Sequence, residues 1–262
     1  MVKAARAAGR GLARDFGEVE NLQVSKKGPG DFVTAADHRA EEVIYNELAR
    51  ARPGYGFVME ERGTIVGTDK TNRFIVDPLD GTLNFLHGIP HFCISIGHER
   101  EGELNAGVVY DPITGDIYWA EKGQGCWLEN RRLRVATRIK LSQSVLATGT
   151  PFIGHSEERH QLFWAELAHM TQETTGIRRF GSAALDLAFV AAGRFDGFWE
   201  RDLKPWDIAA GIVLVREAGG VVQDIDGANV LETGNIIAAN QSLLPKIQSR
   251  LVAARKKLEG RD

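Results

Sequence analysis

Nine residues, Asp77-Pro78-Leu79-Asp80-Gly81-Thr82-Leu83-Asn84-Phe85, constrain this chain more than any others. They follow an apolar run, Phe74-Ile75-Val76, that reads as the end of a strand. Asp77 therefore stands at a strand's carboxyl end, where open α/β sheets hold their ligands. Pro78 fixes φ near −65° and cannot donate to a ladder, so the chain is expected to turn there. Asp80 comes far enough round that turn for its carboxylate to converge with that of Asp77. Gly81 lets the backbone approach a ligand closely. Thr82 and Asn84 suit the start of a helix, whose free N–H groups favour an anion. Hard oxygen ligands thus face phosphate-binding amides, the arrangement that Mg²⁺ and a phosphate monoester require. Asp, Pro and Gly are also ordinary turn residues, so the surroundings must decide.

Two further acidic segments are placed as a metal site would need them. Gly56-Phe57-Val58-Met59 is a short strand-like run ending at Glu60-Glu61, able to present a carboxylate beside the Asp77 strand or simply a solvated acidic loop. Trp206-Asp207-Ile208 follows Pro205, and Ile208, Ile212, Val215 and Ala218 recur at helical spacing up to Gly219-Gly220. Asp207 is therefore expected at a helix N-terminus, where a plain N-cap is the alternative role. Upstream, Thr34 or Asp37 could cap a helix containing Ala40, Val43, Ile44 and Leu48, and Lys26 and Lys27 fall in a Gly/Pro-rich stretch that reads as a loop.

Taken together, these segments resemble the inositol monophosphatase family in its bacterial form, from roughly Lys3 to Ser249. The carriers are Glu60-Glu61, D-P-L-D-G-T-L-N-F at 77–85, G-S-A-A at 181–184, Glu200, and P-W-D-I-A-A-G at 205–211. The resemblance implies that Glu60, Asp77, the carbonyl of Leu79, Asp80 and Asp207 ligate two or three Mg²⁺ ions. It implies that Gly81 and Thr82 bind phosphate through backbone N–H groups, and that Thr82 and Asp37 orient or deprotonate the attacking water. Gly181, Ser182, Ala183, Glu200, Asp80 and Asp207 would line the substrate side, with Arg178 supporting Glu200 or that wall of the pocket. The Lys26 loop would close over the site. The implied reaction is direct hydrolysis of a myo-inositol monophosphate, with two ions about 4 Å apart clamping the attacking and leaving oxygens. Relatives commonly dimerise and are commonly inhibited by lithium. Met59 and Arg62 depart from the residues usual around the acidic pair but spare every implied ligand. Leu83-Asn84-Phe85 after the D-G-T motif looks like the inositol branch. Fructose 1,6-bisphosphate or a 3′-phosphonucleotide are the alternative substrates, and partnership with the transcription machinery is the alternative role.

Charge counting supports the same picture independently. Glu60, Asp77, Asp80 and Asp207 would bring four negative charges to one point, and a phosphate monoester nearly two more. Like carboxylates disfavour joint ionisation, so cations are needed. Cys93 and Cys126 lack the context of a catalytic thiol and read as buried, and two cysteines make no disulfide framework, which fits a reducing cytoplasm.

A chain of 262 residues can bury a substantial core. Its formal charge of −3 gives no reason to expect nucleic-acid binding, and the basic run Arg131-Arg132-Leu133-Arg134 reads as a solvated hairpin. No apolar run is long enough to span a membrane. Met1–Arg14 is Arg-rich and acid-poor, a little like a transit peptide, but its alanines suit an ordinary first helix lacking an N-cap. Residues 1–138 alternate helices with strands that form an antiparallel meander through 92–98, 105–110 and 116–120. From residue 139 to 262 the pattern is strand and helix in turn. The expectation is an α/β sandwich with a larger antiparallel sheet and a smaller mixed one. The resemblance implies the layered α-β-α-β-α fold of the inositol monophosphatase and fructose-1,6-bisphosphatase type, acting as one catalytic unit with its site between the lobes.

Overall fold

Helix α1 (Val2–Phe16) opens the chain and buries Ala4, Ala5, Ala8 and Leu12 on one face, with no side-chain cap at Met1. The computed structural model describes residues 1–18, 24–28 and 31–260. The stretch holding Lys26 and Lys27 departs from expectation: Val24–Gly28 is a strand, β1, paired antiparallel with β2 (Asp31–Thr34). Pairing gives that backbone its hydrogen bonds, and the Pro29-Gly30 connection lies outside the described residues. Helix α2 (Ala35–Ala51) follows. Thr34 and Asp37 share its capping: the Thr34 hydroxyl accepts from Ala36 and Asp37 N–H, and the Asp37 carboxylate accepts from Thr34 N–H.

Strands β3 (Gly56–Met59), β4 (Gly63–Ile65) and β5 (Asn72–Asp80) come next, then the short helix α3 (Thr82–Leu86). The meander is β6 (Cys93–Arg100), β7 (Glu103–Tyr110), β8 (Ile117–Glu121), β9 (Gly125–Leu128) and β10 (Arg131–Arg132). These make an eight-stranded sheet in the order β10-β9-β8-β7-β6-β5-β3-β4, antiparallel except for β3 beside β5. Glu101 and Gly102 both have positive φ, 54° and 80°, as a two-residue hairpin turn between β6 and β7 requires. Arg131 and Arg132 are exposed on a hairpin strand, as expected.

Pro78 does not turn the chain. Pairing with β6 runs through Asp77↔Ser95 and resumes at Asp80↔Cys93, so one extra residue bulges out of β5. A bulge tolerates the missing proline N–H, and it re-aims the carboxylates on either side of it. The turn comes at Gly81, whose φ of 95° favours glycine.

The remaining elements are β11 (Val145–Thr148), α4 (Glu157–Glu173), β12 (Gly176–Arg178), α5 (Ala183–Ala191), β13 (Gly197–Glu200), α6 (Pro205–Glu217), β14 (Val221–Asp224), α7 (Val230–Thr233), β15 (Ile236–Ala239) and α8 (Leu244–Leu258). Their five-stranded sheet runs β12-β11-β13-β15-β14, with β11 parallel to both neighbours and the other pairs antiparallel.

Strand alternation builds the layers. Phe198 and Ala238 face inward towards α5 and α6, whereas Trp199 and Ile237 face outward towards α4 and α8. On the larger sheet, Ile94, Ile96 and Val108 meet α1 and α2, whereas Cys93 and Val109 meet α5 and α6. The order is therefore α-β-α-β-α. Helix α6 is buried at every position from Ile208 to Val215, as a helix between two sheets must be. It lies so close to the larger sheet that a Cβ on Gly97 would come 2.8 Å from Ala209 Cβ, and one on Gly107 2.5 Å from Ala210 O.

Candidate active site

Parallel pairing of Met59 with Val76 brings Glu60, the next residue, level with Asp77, and Glu60 N–H donates to Val76 O at 3.2 Å. Asp77 pairs across the ladder with Ser95, and Ser95 Oγ donates to the carbonyl of Trp206 at 3.0 Å. That bond pins the start of α6 over β5 and so carries Asp207 to the same place. Asp207 is the third residue of α6, not its N-cap. One of its oxygens accepts Lys204 N–H at 2.7 Å, leaving the other for the cleft. Asp77 likewise commits one oxygen to Leu79 N–H at 2.9 Å.

Asp80 is held from the opposite lobe. Its Oδ2 accepts Ser182 Oγ–H at 2.6 Å and Ala184 N–H at 2.7 Å, and the buried Cys93 thiol lies 3.8 Å away. Oδ1 is left to face outward. Ser182, expected on the substrate side, is buried at the cleft wall and donates its hydroxyl to Asp80. Gly81 packs against Gly181, where a Cβ would come 3.3 Å from the Gly181 carbonyl, and Asn84 Nδ2 donates to both His91 O and Phe180 O. These contacts stitch α3 to the second lobe. Thr82 Oγ1 lies 3.3 Å from Asp37 Oδ1 and 3.0 Å from Leu79 O, either of which can accept its hydrogen bond. Asp37 is buried behind it, with Oδ2 bonded to Thr34 N–H and Oγ–H.

The cleft between the lobes has a volume of about 790 Å³ and is lined by Glu60, Asp77, Leu79, Asp80, Gly81, Thr82, Gly181, Ser182, Ala183, Glu200 and Asp207. Arg178 is not part of it. It lies exposed on the edge strand β12 and bonds the carbonyl of Ile177. Side chains alternate along an extended chain, so Arg179 is the one that reaches the cleft, donating to Thr150 Oγ1 at 3.1 Å.

Burial first, then mutual repulsion, shapes the electrostatics. Asp77 is pushed well above the ordinary carboxylate range by burial and by the charges of Glu60, Asp80 and Asp207. Asp207 follows for the same reasons, Asp80 being its strongest repelling neighbour. Asp80 rises only to about 6, since its bonds from Ser182 and Ala184 oppose burial. Burial and the Asp80 charge raise Glu200 to about 8, against the relief given by Arg179 and Arg159. Asp37 rises to about 6 through burial, opposed by the Thr34 bonds. A buried acid on α5, Asp186, has Oδ1 without a hydrogen-bond partner and is raised by burial and by Glu200 and Asp80.

Among the described residues no three His, Cys, Asp or Glu side chains converge into a ready-made cage. Mg²⁺ does not need one, because it keeps several waters and takes one or two carboxylates with substrate oxygens. Four mutually repelling carboxylates lining one cleft fit hard divalent cations. They fit soft metals poorly, since the one thiol nearby is raised far above its usual pKa by burial.

Sequence reasoning passed over Arg179, Ser95 and Asp186. Contacts between distant segments, which no local motif marks, bring them to the site.

Comparison with known proteins identifies the family. The inositol monophosphatase family model matches residues 1–259. An inositol-1-monophosphatase of Mesorhizobium japonicum is 56% identical over 258 residues, 98% of this chain and 95% of that protein. The crystal structure of the extragenic suppressor protein suhB from Bartonella henselae superposes with a TM-score of 0.92 at 54% identity, covering 96% of each chain. Nus factor SuhB of Salmonella typhimurium is 43% identical over 253 residues, 96% of this chain and 92% of that one. The chain belongs to the inositol monophosphatase family, a family of metal-dependent phosphatases.

Proposed function

We propose that this protein is a Mg²⁺-dependent phosphomonoesterase that hydrolyses myo-inositol monophosphate to inositol and phosphate. The reading is supported above all by one observation: Glu60, Asp77, Asp80 and Asp207, from both lobes, line one cleft beside the first amides of α3. Glu60, Asp77, the Leu79 carbonyl, Asp80 and Asp207 would hold two or three ions. The Leu79 carbonyl has two lone pairs, so its 3.0 Å contact with Thr82 Oγ1 still leaves one for that purpose. Bound Mg²⁺ supplies Lewis-acid stabilisation of the phosphoryl oxygens and of the departing alkoxide.

The chain's own residues do the rest. Backbone N–H groups of Gly81 and Thr82 bind the phosphate, where transition-state charge spreads over its oxygens. Thr82 Oγ1 accepts a proton from the attacking water as its own proton passes to Asp37 Oδ1. Asp37, with a pKa of about 6, is ionised and ready to receive it at neutral pH. Glu200, the Ala183 backbone and Asp80 meet the hydroxyls of the inositol ring. Arg179 takes the supporting role that the family resemblance implied for Arg178. The two lobes, 1–138 and 139–262, work as one catalytic unit, because neither holds all four carboxylates. A cytoplasmic homodimer sensitive to lithium completes the proposal. No helix among the described residues is long and apolar enough to cross a membrane.

The test is phosphate release from myo-inositol 1-phosphate, fructose 1,6-bisphosphate and 3′-phosphoadenosine 5′-phosphate, with and without Mg²⁺. Turnover led by the inositol ester and abolished without metal is expected. A lead by either other ester refutes the substrate, and metal-independent turnover refutes the chemistry.

A further inference from the structure

Glu200 ends β13, and its neighbour across the parallel ladder is set by register. Thr148 of β11 pairs with Trp199, so the next residue of that chain, Gly149, comes beside Glu200. Side chains of paired residues on adjacent strands stand on the same face and touch. Here only one of the two has a side chain, and the Glu200 carboxylate leans into the space the other leaves. A Cβ built on Gly149 would fall on Oε1, Cδ and Oε2 of Glu200, all nearer than the 3.0 Å that real Cβ atoms keep. Among the described residues beyond its two chain neighbours, these Glu200 atoms are the three nearest to that position.

Backbone conformation does not require a glycine here. The φ of Gly149 lies outside the left-handed region, so an alanine meets no strain in its own backbone. What an alanine meets is the far end of a flexible side chain, which can swing away at small cost to the fold. The other walls of the seat are ordered. Thr150, the next residue, receives the Arg179 hydrogen bond at 3.1 Å, which keeps a positive charge near the Glu200 carboxylate. Asp186, buried on α5, lies close enough for Glu200 to dominate its electrostatic surroundings after burial itself.

We propose that Gly149 is a specificity-determining residue: its missing side chain is the seat of the Glu200 carboxylate, and the residue at 149 thereby decides whether this phosphatase favours polyol phosphates over simple phosphate esters. The inference rests on the reading that Glu200 meets the polyol hydroxyls. Glu200 is not among the residues proposed to hold metal (Glu60, Asp77, Leu79, Asp80, Asp207) or phosphate (Gly81, Thr82), so a displaced Glu200 loses recognition of the ring first and not of the phosphoryl group. A misplacement of about 1 Å in such a contact costs on the order of tenfold to a hundredfold in rate.

The experiment compares kcat/KM for myo-inositol 1-phosphate with kcat/KM for p-nitrophenyl phosphate, which has no ring hydroxyls. The proteins are wild type, Gly149→Ala, Glu200→Ala and the double variant. The ratio of the two constants should fall at least about tenfold in Gly149→Ala. In the Glu200→Ala background the same substitution should change the ratio less than about twofold, since the two residues act as one unit. A thermal melt of Gly149→Ala within a few degrees of wild type shows that the seat and not the fold was altered. If Glu200→Ala lowers the ratio but Gly149→Ala does not, the inference is overturned and the reading of Glu200 survives. If Glu200→Ala leaves the ratio unchanged, the reading itself fails. Should Gly149→Ala lower the ratio equally with and without Glu200, the residue acts by another route and the inference is overturned as well.

Discussion

Replacing Ser182 with alanine tests how the second lobe tunes the site. Ser182 Oγ donates to Asp80 Oδ2 at 2.6 Å, and Ala184 N–H donates to the same oxygen at 2.7 Å. Alanine removes the first bond and keeps the second. A hydrogen bond to a charged group is worth roughly 1.5–3 kcal/mol, which corresponds to about one to two pKa units. Cys93 lies 3.8 Å from the same oxygen and offers a weak replacement donor, so the lower end of that range applies. Asp80, now at about 6 against burial, would rise to near or above neutrality, and Mg²⁺ would have to displace its proton. Loss of a supporting bond also loosens the orientation of Oδ1, and such losses typically cost 10–100-fold in metal affinity. The expected outcome is a Mg²⁺ concentration for half-maximal activity about tenfold higher at pH 7, narrowing towards wild type at pH 9. The assay is phosphate release across a Mg²⁺ titration at several pH values. An unchanged midpoint at pH 7, or a difference that widens with pH, would refute the reasoning.

Three further outcomes follow from the same structure. Folded Asp77, Asp207, Asp80 (about 6) and Glu200 (about 8) hold protons longer than an unfolded carboxyl near 4, so metal-free stability should fall as pH rises from about 4 to 8. Melting in a chelator should drop from pH 5 to pH 8, and Mg²⁺ should stabilise more at pH 8; a metal-free melting temperature that climbs over that range contradicts the charge cluster. Glu166→Ala leaves the buried Arg201 with Asp226 alone at 3.4 Å in place of the 2.6 Å pair, and should cost about 3 kcal/mol in denaturant unfolding; a loss under about 1 kcal/mol would mean that Arg201 finds solvent. Gly107→Ala drives a Cβ into the Ala210 backbone of α6 and should cost about 1–3 kcal/mol, with activity falling because α6 carries Asp207; full activity at unchanged stability would mean that α6 is free to shift.

Much of the cleft was legible because its acidic residues sit in short contiguous segments. Glu60 ends a strand, Asp77 and Asp80 bracket a bulge, and Asp207 opens a helix. That Glu60 follows a strand, that Asp77 lies late in one and that Asp207 stands near a helix start follow from local apolar patterning, and the meander from β6 to β8 reads just as directly. Elsewhere the sequence is silent for physical reasons. Pro78 looks like a turn because only pairing with Ser95 and Cys93 reveals a bulge. Helix α6 reads as one apolar stripe, yet it is buried all round, since Gly97 and Gly107 thin the sheet beneath it. Arg178 and Arg179 cannot be told apart without knowing where β12 ends. Ser182 and Gly149 matter through contacts with Asp80 and Glu200, and no local pattern encodes such contacts.

The most direct test of the central claim is anomalous diffraction from crystals soaked with Mn²⁺ and phosphate, Mn²⁺ standing in for Mg²⁺. The account predicts ion peaks bounded by Glu60, Asp77, Asp80 and Asp207, with phosphate on the Gly81 and Thr82 amides. Peaks elsewhere, or phosphate bound without metal in that cleft, would contradict it.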